Sequence, residues 1–488
     1  MKSLSIAVRR FALLGTTAVL ASAASVYPAA AETLQTALLK AYRSNPTLTG
    51  ARAGQRATDE NVPIQKAAGR PNLQASGSYT ESILKPTISF TSPQRTANAQ
   101  AQLSVPIYSG GAVKNGVRGA KTRVEAGRAN LRATEASVFS QVVAAYMDVI
   151  RDQAIVSLNR ANVGVLDVNL QATNDRFEVG DLTRTDIAQS QSRLALARSD
   201  LQTAEANLIR SRENYIALVG DVPDNLETPP PLPNLPQSPD LAVQVAVADN
   251  PDILAAKKTR EAAVYDVKVA RAAAKPTVSV FTQGGYTNYL DTLGDRASSQ
   301  INETASAGVQ LNLPLYQGGR PAAQVRQSQA FESQSIEREI ETERSVIAQA
   351  RAAYASWQAS LQTIVSSQSA VDATSLSLEG VRAENSVGSR TILDILNAEQ
   401  EALNARVQLV SARRNAYVAG FTLLAAMGHA EADDLGLEAG VLYDPVQNYD
   451  RVKNKLLDWG GDPRPQPVAT RTVDTPAQNA MVAPDAAK

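Results

Sequence analysis

The stretch LSVPIYSGG, Leu103–Gly111, recurs 208 residues later as LNLPLYQGG, Leu311–Gly319. Each copy ends a run in which apolar and polar residues alternate, and a long segment almost free of proline follows it. Alternation with a period of two predicts a half-buried strand, whereas a long segment without proline or turn signals favours helix. The repeated stretch therefore marks two places where a strand is predicted to end and a very long helix to begin.

Other parts of the chain repeat at nearly the same displacement. Val179-Gly180 aligns with Val387-Gly388 at 208 residues, and Asn45-Pro46 aligns with Asn250-Pro251 at 205 residues. Such self-similarity at a fixed displacement predicts two copies of one structural unit. The predicted divisions of the chain are a signal peptide, a first repeat, a proline-rich linker, a second repeat, and a C-terminal segment with a disordered tail: residues 1–31, 32–222, 223–240, 241–431 and 432–488.

The N-terminus has the three parts of an export signal. Lys2, Arg9 and Arg10 are basic, Phe11–Ala24 is apolar, and Ala29-Ala30-Ala31 offers a cleavage site. No later segment reaches the eighteen or so unbroken apolar residues of a spanning helix. The mature chain is therefore expected to be a soluble periplasmic or secreted protein, or a β-barrel.

The composition argues against several classes of function. The 48 basic and 48 acidic side chains balance, so no basic surface for nucleic acid is indicated. The chain has no cysteine and one histidine, His429, for which a surface or helix-end position is expected. We therefore expect no enzyme, no cofactor, no metal site and no lipid anchor on an N-terminal cysteine.

Four short segments alternate between apolar and polar residues. In one of them Ala97, Ala99, Ala101, Leu103 and Val105 alternate with polar residues. The predicted strands span residues 72–82, 96–106, 276–287 and 304–314. Their length and period are typical of outer-membrane barrel strands. The alternative is a half-buried sheet in a soluble domain, and the export signal together with four similar segments favours the membrane.

Four strands are too few to close a barrel, since the smallest bacterial barrels have eight. The chain must therefore oligomerise, with two chains giving eight strands and three giving twelve. Each junction after a strand has three parts: a proline at the strand end, a tyrosine suited to the lipid–water boundary, and a glycine pair that permits the bend into a helix. These residues are Pro106, Tyr108, Gly110 and Gly111 in the first copy, and Pro314, Tyr316, Gly318 and Gly319 in the second.

The helical parts surround the predicted strands in both copies. Helical segments at Leu34–Ala68 and Leu241–Ala274 precede the strands, and Ala112–Phe177 is long enough for a helix of about 100 Å. A turn at Val179-Gly180 leads to a return helix whose apolar and small residues follow a three-four spacing from Ile187. An ordinary coiled coil is the alternative interpretation of that spacing.

Taken together, the chain resembles the TolC-type outer-membrane efflux proteins, also called outer membrane factors. The resemblance covers about Glu32 to Leu442 and rests on the duplicated strand-strand-helix-helix unit, the two junctions, and the turns FEVGDLTRTDIAQSQ and NSVGSRTILDILNAEQ. It implies a homotrimer in the outer membrane of a Gram-negative bacterium. A twelve-stranded barrel would contact outer-membrane lipid and continue into a periplasmic tunnel of α-helices.

The resemblance also implies function and partners. Such a channel exports drugs, toxic compounds or proteins as part of a tripartite efflux pump or a type I secretion system. Its partners are a periplasmic adaptor protein and an inner-membrane transporter of the RND or ABC type. A structural coiled-coil envelope protein without a conducting lumen is the alternative.

Several roles follow residue by residue from the resemblance alone. Val179, Gly180, Val387 and Gly388 match the tips that adaptor proteins contact. Asp394 matches an acidic position at the closed periplasmic entrance, and Asp186 and Arg390 match positions whose hydrogen bonds and ion pairs hold it shut. Asn397 stands where the family has a second aspartate, so a weaker closure is expected.

Overall fold

The computed structural model describes residues 32–84, 93–292, 299–437 and 442–482, so the predicted signal peptide lies outside the described residues. The elements are α1 (Leu34–Ser44), α2 (Pro46–Asp59), α3 (Asn61–Ala67), β1 (Asn72–Glu81), β2 (Arg95–Ser109), α4 (Ala112–Glu178), α5 (Arg184–Val219), α6 (Pro239–Asp249), α7 (Pro251–Ala272), β3 (Thr277–Asn288), β4 (Ile301–Asn312), α8 (Arg320–Ser386), α9 (Ile392–Met427) and α10 (Pro445–Val452). Within these ranges, none of the helices combines the length and the apolarity that a membrane span needs.

The four strands form one antiparallel sheet in the order β1-β2-β3-β4. Its register places most of the polar residues of the four strands on the same face, as in the row Gln74, Gln102, Gln283 and Ser306. The adjacent row, Leu73, Leu103, Thr282 and Ala307, lies on the opposite face. Because side chains alternate along a strand, one face is mainly polar and the other consists mainly of apolar and small residues.

The first junction differs from the expectation at its proline. Pro106 was expected to end the strand, but β2 continues to Ser109, and the register shifts between Pro106 and Tyr108. Proline lacks an amide hydrogen for the ladder, so it is accommodated at this irregularity. The shift brings Tyr108 opposite Val278, on the apolar face. In the second copy β4 ends at Asn312, before Pro314, and Tyr316 is 89% exposed in the single chain.

Both glycine pairs adopt left-handed conformations that other residues rarely adopt. The φ angles are 63° at Gly110, 93° at Gly111, 61° at Gly318 and 79° at Gly319. Helix α4 starts directly after the first pair and α8 directly after the second. The chain therefore turns from sheet to helix within two residues in each copy.

The helical segments before the strands are not continuous. Asn45 and Asn250 interrupt them, and each side-chain oxygen accepts a backbone N–H of the following helix, whose first residue is proline. The Asn45 amide also donates to Leu218 O at 2.9 Å, and the Asn250 amide donates to Ala426 O at 2.9 Å. The repeated Asn-Pro pairs thus fasten each short helix to the end of a return helix.

The main hydrophobic core lies where the short helices meet the long ones. Its largest fully buried side chains include Phe139, Tyr146, Tyr215 and Phe421. The Tyr146 hydroxyl oxygen lies 2.7 Å from Glu32 O and 2.6 Å from Glu227 O, so its hydrogen can be donated to either carbonyl and the segment before α1 lies beside the linker. Burial and hydrogen bonding of a tyrosine together stabilise a defined geometry.

The C-terminal tail was expected to be disordered, but its described part lies against the protein. Helix α10 packs on α2, where the Asn448 amide donates to Asp59 at 2.8 Å. Farther along, the Arg212 guanidinium donates to Met481 O at 2.8 Å, and the backbone N–H of Gln478 donates to the Glu213 carboxylate at 3.2 Å. Hydrogen bonds to α5 compensate for the lack of regular structure in a proline-rich segment.

Glu135 on α4 has a largely buried carboxyl group. It accepts the backbone N–H of Ala432 at 2.7 Å. Burial raises the pKa of Glu135 from 4.5 to about 7; Glu431 and Asp433 add to the rise, whereas the Ala432 hydrogen bond and Arg52 oppose it. The folded state therefore favours the neutral carboxyl more strongly than the unfolded chain does.

We expect this carboxyl to make the protein less stable as the pH rises. The contribution of Glu135 to the free energy of unfolding is complete below pH 4.5. It is lost progressively as the pH rises from 4.5 through about 7, and the total loss is up to about 3 kcal/mol. Glu135→Gln should flatten the decline of the unfolding temperature between pH 5 and pH 8. Glu125→Gln, which removes an exposed partner of Lys258, is the control. Equal slopes in both variants and the wild type would contradict this assignment.

Candidate functional site: the ends of the helical hairpins

The two long hairpins, α4–α5 and α8–α9, end in tips of nearly identical backbone geometry. Gly180 has φ 85° and Gly388 has φ 83°. In the first tip Asp181 N donates to Arg176 O at 2.9 Å, and in the second Ser389 N donates to Glu384 O at 3.0 Å. This pattern with a left-handed glycine is the Schellman motif, which satisfies the last carbonyls of a helix.

Each tip exposes one apolar side chain just before its glycine. Val179 is 81% exposed and Val387 is 79% exposed. Since α4 and α8 each contain 67 residues, the tips lie about 100 Å from the sheet. The hairpins thus present two similar apolar points at the end farthest from the sheet.

The two candidate gate aspartates have a local structural role. Asp186 accepts the backbone N–H and the hydroxyl of Thr183, both at 2.8 Å. Asp394 accepts the same two groups of Thr391, at 2.9 and 2.8 Å. These are capping boxes at the starts of α5 and α9. The backbone hydrogen bonds lower the pKa of each carboxyl below 3.8.

Arg390 also has its partner on its own turn. Its Nε lies 2.7 Å from a carboxylate oxygen of Glu384. The first tip has an ion pair of reversed order, in which Arg176 contacts Asp181 at 2.9 Å. Within the chain the structure therefore gives Asp186 and Arg390 separate local partners and does not pair them with each other.

Asn397 is the one candidate gate residue that joins the two hairpins. Its side-chain oxygen accepts a hydrogen bond from Nη2 of Arg193 at 2.6 Å. Arg193 lies on α5 and Asn397 on α9, 204 residues apart in sequence. Sequence reasoning identified Asn397 only as a departure from the family pattern and did not identify Arg193.

A small apolar cluster adjoins this hydrogen bond. Leu396 of α9, only 2% exposed, packs with Leu166 of α4 and with Leu194 and Ala197 of α5. We call Leu396, Arg193 and Asn397 the hairpin latch. The latch is the place near the tips where the second hairpin inserts a side chain into the first.

The structure also locates the histidine and the acidic residues. His429 follows the end of α9, and its Nε2 lies 3.1 Å from Asp249. In the ranges that the structure covers, no group of three or more histidine, aspartate and glutamate side chains is arranged to hold a metal ion. The charged residues Arg176 and Arg390 at the tips form ion pairs with Asp181 and Glu384.

Comparison with known proteins agrees with this architecture. The outer membrane efflux protein family matches residues 37–221 and 242–429. The outer membrane efflux protein BepC of Brucella suis is 37% identical over 434 residues, covering 89% of this chain and 92% of BepC. The outer membrane protein TolC of Escherichia coli is 26% identical over 350 residues, covering 67% of this chain and 70% of TolC.

A solved structure shares the fold. The outer membrane protein VceC of Vibrio cholerae superimposes with a TM-score of 0.69 at 23% identity, covering 81% of this chain and 96% of VceC. The predicted fold class is thereby confirmed for the single chain: four antiparallel strands continue into two long helical hairpins. The alternative of an envelope scaffold is not favoured. By its match along both repeats and its likeness to BepC, the chain belongs to the outer membrane efflux protein family.

Proposed function

We propose that this outer-membrane efflux channel is closed at its periplasmic end by the hairpin latch and opens when partner proteins dock on the hairpin tips. The chain exports its cargo through the outer membrane without making or breaking bonds in it. The observation that carries the proposal is the pair of equal tips, each with an exposed valine, about 100 Å from the sheet.

The trimer supplies the continuous wall that a channel needs. In one chain β1 and β4 are the edges of the sheet, and an unpaired edge cannot face lipid because its backbone groups would lack hydrogen bonds. Three chains close the edges against one another and give twelve strands. The apolar face then contacts outer-membrane lipid, with Tyr108 near the boundary, and the polar face surrounds water.

The partners are a periplasmic adaptor protein and an inner-membrane transporter of the RND or ABC type. The tips suit an adaptor because Val179 and Val387 offer apolar contacts at one end of rigid helices. The adaptor and the transporter select the cargo, which is a drug, another toxic compound or a protein. Energy comes from the transporter.

The closed state depends on contacts between hairpins rather than within them. The capping boxes of Asp186 and Asp394 and the pair of Arg390 with Glu384 shape the individual turns. The latch instead ties α9 to α4 and α5. In the trimer Asp394 would lie beside the entrance, where a single carboxylate per chain can attract cations.

Single-channel recording in a planar lipid bilayer tests the channel itself. We expect the purified wild-type trimer to insert and to show a small, stable conductance, because the helical end is closed. The gene should also restore drug resistance or protein secretion to a strain that lacks it. Folded trimers that never conduct would instead support a scaffold without a lumen.

A further inference from the structure

One aromatic side chain lies on the polar face of the sheet. Phe281 of β3 pairs with Ser104 of β2 and with Gly308 of β4. Its neighbours on the same face of β3 are Ser279 and Gln283. Among the strand residues that the structure describes, Phe281 is the one aromatic side chain on this face.

The sheet provides a seat for this ring. A Cβ atom added at Gly308 would lie 3.1 Å from Cζ and 3.2 Å from Cε1 of Phe281. The ring therefore lies across the backbone of β4 at a position where a side chain would displace it. Phe281 remains only half-buried, so one side of the ring is open to the space next to the polar face.

We propose that Phe281 is a contact site for planar aromatic groups of amphipathic cargo inside the barrel. This inference rests on the proposed channel, because only a closed barrel turns the polar face into a lumen. The face of a phenylalanine ring can stack in an offset arrangement on another aromatic ring, and it attracts cations. The surrounding serine and glutamine side chains offer hydrogen bonds to the polar part of the same molecule.

The dimensions fit a contact site and not a plug. Twelve strands spaced about 4.8 Å apart and tilted about 40° enclose a wall of radius about 12 Å. Three seated rings at one level leave the centre of such a barrel open to ions. A cargo molecule would therefore touch one ring at a time and pass on, as transport through several weak sites requires.

A structural role for Phe281 must be separated from a role in transport. Aromatic residues also stabilise sheets by covering a glycine on a neighbouring strand. That role would change the thermal stability of the trimer but not its affinity for an aromatic probe. The test therefore measures both quantities in Phe281→Ala and Phe281→Trp, since tryptophan keeps an aromatic surface at the site.

The probe is ethidium, a planar aromatic cation. It is added to the side of the bilayer opposite the helical hairpins, from which the lumen of the barrel is reached directly. Choline, a cation without an aromatic ring, is the reference. We expect ethidium to block the current, Phe281→Ala to weaken that block about threefold to tenfold, and Phe281→Trp to preserve it. Block by choline should not change. Tyr286→Ala is the control, because Tyr286 lies on the same strand but on the opposite face.

The seat itself gives an independent measurement. Gly308→Ala should displace the ring from its seat and weaken the ethidium block, and adding Phe281→Ala should weaken the block no further. If the wild type conducts but Phe281→Ala leaves the ethidium block unchanged, this inference is wrong and the proposed function stands. A wild type that does not conduct overturns both.

Discussion

The trimer in which Arg193 and Leu396 are both replaced by alanine is expected to conduct several times more current than the wild type. Leu396 is buried between α4 and α5, although it belongs to α9. Arg193 donates across the same boundary to Asn397. Both changes remove contacts between hairpins and leave the capping boxes and tips intact, so the closed state should lose stability selectively.

The size of the effect follows from the number of chains. Truncation of a buried leucine costs about 2 kcal/mol or more, and an exposed hydrogen bond to a charged group contributes about 0.5 to 1 kcal/mol. Three latches in a trimer then lose about 8 kcal/mol in total. Because 1.4 kcal/mol changes an equilibrium tenfold, even a part of this loss should shift the channel from mostly closed to mostly open.

A matched double variant separates the latch from general weakening. Leu378 packs against Ala398 and Ala402 inside the second hairpin, and Arg198 pairs with Asp167 inside the first. Leu378→Ala with Arg198→Ala thus removes a similar leucine and a similar arginine contact without crossing between hairpins. An equal rise in conductance in this control, or no rise in the latch variant, would rule out the latch as the gate.

The converse change should strengthen closure. Asn397→Asp would place a carboxylate beside the Arg193 guanidinium and replace a neutral acceptor with a charged one. We expect a lower conductance than that of the wild type. Adding Arg193→Ala should abolish this decrease, since the new carboxylate would lose its partner.

Much of the architecture could be predicted because it depends on local periodicity. Strands with a period of two, helices without proline and left-handed glycines are each specified by a few adjacent residues. The sequence also contains the pattern of both capping boxes, since Thr183 precedes Asp186 and Thr391 precedes Asp394 by three residues. The continuation of β2 past Pro106 was not, because a bulge depends on the partner strand.

The latch could not be predicted for a different reason. A heptad spacing shows that Leu396 lies on an apolar face, but not which of several helices covers that face. The contact of Arg193 with Asn397 joins the two repeats, whereas the repeat pattern describes each unit separately. The resemblance directed attention to Asp186 and Arg390, whose partners within the chain turn out to be local.

Replacing both Val179 and Val387 with aspartate is expected to abolish efflux or secretion while leaving the trimer intact. The two valines are among the most exposed apolar residues of the long hairpins. Burying each valine under an adaptor would contribute about 1.5 kcal/mol, and an unpaired carboxylate in the same place would cost more. With two tips in each of three chains, the losses add up over the whole docking surface.

Val473→Asp is the control for the added charge, since Val473 and Val179 are both 81% exposed. Complementation of the deletion strain should fail for the tip variant and succeed for the control, with equal amounts of trimer in the outer membrane.

Gly180→Val with Gly388→Val tests shape without charge, because a β-branched residue is strained at φ 85° and 83°. If both tip variants complement normally, docking does not depend on the tips. If they fail while their conductance matches that of the wild type, the tips serve the docking of partner proteins and the latch alone holds the channel closed.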